Sequence, residues 1–226
     1  MSALVLVEDK AVDRLHELGL SVDIIERVVR RADAEASTFT ALDPPIMEGL
    51  TRWGRTSRFL REELVPRGWT YDNPRNWART IHPSGEFAIV AATGDELTGV
   101  AGPGVLPTTR YRKGDATIRA VETNEQLTFD FGDLFSTAPG AVVNPGAMLT
   151  WVLLFYSDDH EFRVELSLPD GIEDGRISSW AERIILPPFP RDEAVLDGGD
   201  DDADHVVVEV VRRLPPTADA TRDHRC

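Results

Sequence analysis

Two clusters of carboxylate and imidazole are the side chains of this sequence best suited to hold a metal ion or move a proton. Asp158, Asp159 and His160 follow an apolar run, and Asp200, Asp201, Asp202, Asp204 and His205 close a long acidic stretch. Such groups bind a divalent ion when their oxygens and nitrogens converge at about 2.0–2.6 Å, and a metal-dependent hydrolase is the activity they would serve. Against that stands the backbone chemistry of turns, which collects aspartate without any ligand. Neither cluster carries two histidines one helical turn apart, and neither has glycine at the sixth place of a calcium loop. Asp158, Asp159, His160 and His205 are therefore metal candidates by residue type alone.

Other catalytic patterns fail on spacing. The run 99–104 has glycines at 99, 102 and 104 but not the dinucleotide-loop interval, and no helix start follows it. GxxxxGK[ST] and GxSxG do not occur. Lysine is confined to Lys10 and Lys113 among 22 arginines, and neither sits in a motif. No cofactor is implied.

The arginines offer a second chemistry. Residues 52–79 hold seven of them, interleaved with Trp53, Trp69, Tyr71 and Trp77, and guanidinium groups beside aromatic rings can grip phosphate or stack on bases. Arg52, Arg55 and Arg58 are the anion-binding candidates. A three-residue step, however, turns about 60° around a helix, so these side chains spread over half its circumference, and several are expected to pair with the acidic half of the same chain.

Residues 15–32 have the outline of a helix-turn-helix, with Gly19 in the turn and Arg27, Arg30 and Arg31 on the second helix. Arg14 stands where that motif wants an apolar side chain, and Asp23, Glu26, Asp33 and Glu35 would face phosphate. A DNA-binding regulator is the second alternative function.

Charge decides between partners. Residues 1–120 carry 16 basic and 17 acidic side chains, whereas residues 121–226 carry 8 and 22, which is nearly all of the net −15. That field repels nucleic acid and anionic membrane and attracts cationic partners. Seven acids and no base lie in 192–204. Asp197, Asp200, Asp201, Asp202 and Asp204 are accordingly the expected contacts of a protein with a basic surface. The favoured function is a non-enzymatic binding or regulatory protein whose acidic C-terminal half docks a cationic protein surface, imitation of nucleic acid being one form such docking takes. One cysteine, Cys226, excludes a disulfide framework. With no apolar run long enough for a membrane and no leader pattern, the expected compartment is the cytoplasm.

The elements that must position these groups follow from periodicity. Apolar residues at helical spacing predict helices over 8–18, over 21–36 with Ser21 as N-cap, and from Asp43-Pro44 to Leu64 along Ile46, Leu50, Trp53, Leu60 and Leu64. Strands are expected over 78–81 and 86–93 around His82-Pro83-Ser84-Gly85, and a short helix over 115–124. The run 148–157 is apolar throughout, the mark of a strand covered on both faces. In 161–168, Phe162, Val164, Leu166 and Leu168 alternate with Glu161, Arg163, Glu165 and Ser167, which predicts one buried and one wet face. Further strands are expected over 183–186 and 206–213, with a disordered tail over 215–226. The fold class is α+β: three N-terminal helices (1–66) packed on a mostly antiparallel sheet (67–214), with the acidic loop before the last strand.

Overall fold

Left-handed glycines end helices in the N-terminal half of the chain, whose computed structural model describes residues 3–132 and 148–191. A short strand, β1 (Leu4–Leu6), leads into helix α1 (Glu8–Glu17). At its end Gly19, with φ 71°, lets its own N–H reach the His16 carbonyl at 3.0 Å and the Leu20 N–H reach that of Leu15 at 2.9 Å. This pair of bonds closes a helix only where a residue accepts positive φ. Helix α2 (Val22–Ala36) starts where the Ser21 hydroxyl accepts from the Ile24 N–H. Helix α3 (Met47–Leu64) ends in a 3-10 turn that Gly68, at φ 89°, terminates in the same way.

The start of α3 differs from the expectation by three residues. Asp43 accepts hydrogen bonds from the Thr40 N–H and hydroxyl, so its carboxylate closes the turn behind it and does not cap the helix. Pro45 in turn disfavours helical ψ at Pro44. The exposed Ile46 and Leu50 consequently lie outside the core that Phe59, Leu60 and Leu64 join.

Among the described residues the sheet has eight strands: β1, β2 (Thr70–Asp72), β3 (Arg79–Ile81), β4 (Phe87–Thr93), β5 (Leu149–Ser157), β6 (Glu161–Glu173), β7 (Arg176–Ile185) and β8 (Phe189–Pro190). Their order is β1-β7-β6-β5-β4-β3-β2, with β8 on the first residues of β6. The pairs β1–β7 and β4–β5 are parallel and the others antiparallel, so the sheet is mixed. The parallel pair β4–β5 exists because helix α4 (Asp115–Gly132), longer than the one expected from Asp115, carries the chain back between them. Three N-terminal helices are thus an incomplete account of an α+β molecule with four helices among the described residues.

Strand parity sorts the core into two faces. Phe87, Ile89, Trp151, Leu153, Val164 and Leu166 face α1–α3 and share one cluster with Leu15, Ile25, Val28 and Leu60. Val90, Ala92, Val152, Leu154 and Trp180 face the opposite way and meet Val121 of α4. On this second face the buried Asn124 side chain donates to the Thr150 and Pro169 carbonyls and accepts from the Thr150 N–H.

The alternation in β6 does not leave a wet face. Glu165 and Ser167 are fully buried, as is Arg183 on β7. Glu165 accepts from Arg183 Nε at 3.1 Å and Nη2 at 2.5 Å, from the Ser167 hydroxyl at 2.8 Å and from the Gly99 N–H at 3.0 Å. Arg183 also donates to the carbonyls of Val100 and Val105. The glycine-rich loop after β4 therefore lies over these polar groups and replaces water as their partner. A Cβ at Gly99 would come within 2.8 Å of Arg163 Cβ, which is how closely that loop approaches β6.

Among the described residues, no helix is long and apolar enough to cross a membrane. The acidic loop over 192–204, the strand over 206–213 and the tail over 215–226 lie outside the described residues.

Candidate functional site

Most arginines of α2 and α3 are matched by acids of the same two helices. Arg52 pairs with Asp33 at 2.8 Å and with Glu48 at 2.6 Å, Arg55 with Glu35, and Arg58 with Glu62 at 2.7 Å. Arg27 and Arg31 of α2 reach across to Glu63 and Glu62 of α3, and Arg31 lies over the Phe59 ring at 3.9 Å. Arg30 bonds Glu26 and the Pro190 carbonyl. The guanidinium groups hold Glu62 and Glu63 below the ordinary carboxylate range, Arg58 acting first on the former and Arg27 on the latter. The acids that match Arg52, Arg55 and Arg58 thus belong to α2 and α3 and not to the acidic C-terminal half, whereas Arg14 of α1 does reach that half, at Glu182. A recognition helix would have to present Arg27 and Arg31 to DNA, and here both are turned onto α3.

Asp158 serves its own turn. Its carboxylate accepts from the N–H groups of His160 and Glu161, which hold it below its usual range. Asp159 and His160 are exposed beside it. Among the described residues, no group of three or more His, Cys, Asp or Glu side chains is placed to hold a metal ion. His205, Asp197, Asp200, Asp201, Asp202 and Asp204 are outside the described residues. His82 stacks on Phe87 with ring centroids 4.5 Å apart and meets the edge of Trp69, and burial lowers its pKa. It is a packing residue of the β3–β4 turn.

Five arginines stand apart. Arg75, Arg110, Arg112, Arg119 and Arg176 make no ion pair or side-chain hydrogen bond among the described residues, whereas every other described arginine makes at least one. They gather along one segment, 108–119, and the two turns beside it. That segment is held by a short ladder: the Arg110 N–H donates to the Thr93 carbonyl, Thr109 exchanges bonds with Ile177, and the Lys113 N–H donates to Gly175 at the β6–β7 turn. The hairpin can bend to meet it because β6 is irregular between Leu168 and Ile172.

Three surface cavities open along this segment. One of 490 Å³ has Arg75, Trp77, Asp115 and Arg119 in its wall, and one of 350 Å³ has Arg112, Arg176, Glu173 and Asp174. The third, of 60 Å³, sits at the carboxyl ends of β4 and β5 and is lined by Thr93, Arg110, Tyr111, Tyr156 and Ser157, with Gly49, Arg52 and Phe155. Lys113, between the first two, is pushed down to about 8 by burial. Arg75 and Asn76 hold positive φ, at 52° and 63°, in the turn that brings Arg75 to the rim.

Sequence reasoning misses Arg110, Arg112, Arg119 and Arg176 because the stretch 52–79, which includes Arg75, is denser in arginine. A signal did exist. Arg110, Arg112 and Lys113 fall within four residues, and the nearest acid on the N-terminal side is Glu96. Five guanidinium groups and one ammonium thus stand against four acids of the described residues, Asp115, Glu173, Asp174 and Asp95, the last of which accepts from Thr108, along a rim whose chemistry is capture of anions. No protein-family model matches the chain, and no curated protein or solved structure is similar to it, so what the chain does rests on this geometry.

Proposed function

We propose that this is a non-enzymatic binding protein of the cytoplasm whose 108–119 rim receives an anionic ligand. The observation that carries the reading is the division among the arginines: those of α1–α3 have partners, and Arg75, Arg110, Arg112, Arg119 and Arg176 have none among the described residues. Uncompensated cations raise the free energy of a fold, so a group of them beside cavities is explained by a ligand that supplies the counter-charge. Tripolyphosphate is the probe. Bound at a hundred times its Kd it adds about 2.7 kcal/mol, which for a chain of this size raises Tm by about 5–10 °C. The variant with Arg75, Arg112, Arg119 and Arg176 changed to Gln should lose most of that rise. An equal rise in the variant, measured at one ionic strength, would remove the rim from the account.

A second reading keeps the acidic C-terminal half as the surface that docks a basic protein. Its support is that Arg52, Arg55 and Arg58 are matched by acids of α2 and α3, leaving the excess of residues 121–226 free of them. A basic protein captured at low salt should be released by about 0.5 M salt. It should not be captured once Asp197, Asp200, Asp201, Asp202 and Asp204 are Asn. Equal capture by that variant would rule the acidic loop out as the contact.

A further inference from the structure

Within the anion-binding reading, on which this rests, we infer that the 60 Å³ cavity is an anchoring subsite for one tetrahedral phosphate group, gripped by Arg110. Three observations converge on it. The first is position. β4 and β5 are neighbouring parallel strands, paired from Phe87–Leu149 to Thr93–Phe155, and the cavity lies beyond their carboxyl ends, with Thr93 from one and Tyr156 and Ser157 from the other. After β4 the chain leaves into the glycine-rich loop, and after β5 it turns into β6, so the two paths diverge. Diverging connections at that end of a sheet leave a crevice that nothing from the sheet fills.

The second is the donor set. Neither the hydroxyls of Thr93, Tyr111, Tyr156 and Ser157 nor the Arg110 guanidinium has a hydrogen-bonding or acidic side-chain partner among the described residues. Arg52, the other cation of the wall, is already matched by Asp33 and Glu48. Among the described residues no carboxylate lines the cavity. One uncompensated guanidinium with four free hydroxyls, carried on β4, β5 and the 108–119 segment, surrounds a central atom from several sides. A guanidinium fork binds two oxygens of a phosphate together, and hydroxyls serve the remaining oxygens as donors. A carboxylate, with two oxygens in one plane, would leave part of this set unused.

The third is size. A water needs about 10–15 Å³ of such space, so 60 Å³ takes about five heavy atoms, the number in a phosphate group. The larger cavities beside it, with Arg112 and Arg176 and with Arg75 and Arg119, then serve the rest of a longer ligand.

The test is calorimetric titration of the whole protein at constant ionic strength with inorganic phosphate, methyl phosphate and acetate. Inorganic phosphate should bind at one site, and Arg110→Gln should weaken it at least tenfold. Arg110→Lys should recover part of the loss, because a point charge remains while the fork is gone. Ser157→Ala should cost a few-fold. Arg110 is exposed, so these changes leave the fold intact. Methyl phosphate binding as tightly as phosphate identifies the terminal group of a monoester, and its rejection identifies the free ion; either supports the subsite. Acetate binding equally well overturns the tetrahedral assignment. Phosphate bound unchanged by Arg110→Gln but lost when Arg75, Arg112, Arg119 and Arg176 are Gln overturns the subsite and leaves the anion rim standing. No heat from phosphate and no Tm rise from tripolyphosphate would end both.

Discussion

Arg183→Met is expected to cost about 3–5 kcal/mol, the usual penalty for leaving one member of a buried ion pair alone. Glu165 and Arg183 are both fully buried, and their four-way arrangement includes Ser167 and the Gly99 N–H. Without the guanidinium, Glu165 keeps two neutral donors for a full charge, and the carbonyls of Val100 and Val105 lose their donor. Glu165→Leu should be damaging for the mirror reason. The double variant Glu165→Leu/Arg183→Met should lose less than the sum of the single changes, since no charge is then stranded, although the loop carbonyls remain without partners. Urea unfolding of the three variants measures this. A cost below about 1 kcal/mol for Arg183→Met would mean that water already reaches the pair. The damage should also travel, because the loop that Arg183 pins leads directly into the 108–119 segment. Tripolyphosphate should therefore bind more weakly to Arg183→Met even under conditions where it is folded.

Lys113→Met is expected to stabilise the protein at pH 7 by about 2 kcal/mol. Burial lowers the folded-state pKa of Lys113 from 10.5 to about 8, so the charged form is disfavoured by folding. Between pH 8 and 10.5 the unfolded chain holds a proton that the folded one has released, and stability rises with pH across that window. Below pH 8 both states are protonated and the whole penalty is felt. At about 1.4 kcal/mol per unit the shift corresponds to roughly 3 kcal/mol. Part of the lysine's surface reaches water, which reduces the expected gain to about 2 kcal/mol. The advantage of Lys113→Met should shrink above pH 8 and be gone near pH 10.5. Urea curves at pH 7, 9 and 10.5 on both proteins check it. A difference that is constant with pH would assign the effect to packing instead of titration.

The helices could be read from the sequence because their signals are local. Ser21, Gly19 and Gly68 act within a few residues of themselves, and the Leu149–Ser157 run declares a strand with two covered faces whatever covers it. Glu165 could not be read in the same way. Its alternation with Leu166 is identical to that of a solvated strand, and the difference lies in Arg183 and in a loop whose Gly99 is 66 residues away in sequence. The parallel pairing of β4 with β5 was hidden for a related reason. The return path through α4 uses a helix whose later turns carry no clear apolar stripe. For the candidate site, sequence supplies the charges but not their neighbours: Arg52 and Arg110 look alike until Asp33 and Glu48 are found against one and no acid of the described residues against the other.

The pairing of β1 with β7 has a consequence for synthesis. Arg14 of α1 bonds Glu182 of β7, 168 residues later, and β1 is itself paired with Glu182–Ile184. At about 5–20 residues per second, roughly 8–34 s separate the emergence of the two partners. During that time α1–α3 have left the ribosome with Leu15, Ile25 and Leu60 uncovered, since their counterparts Trp151, Leu153 and Leu166 have not been made. The helices form early on their own signals, while the layer they build waits for the second half of the sheet. Folding of this chain is thus gated by translation of β5–β7, and a truncation before β7 would leave the N-terminal strand with no edge to join.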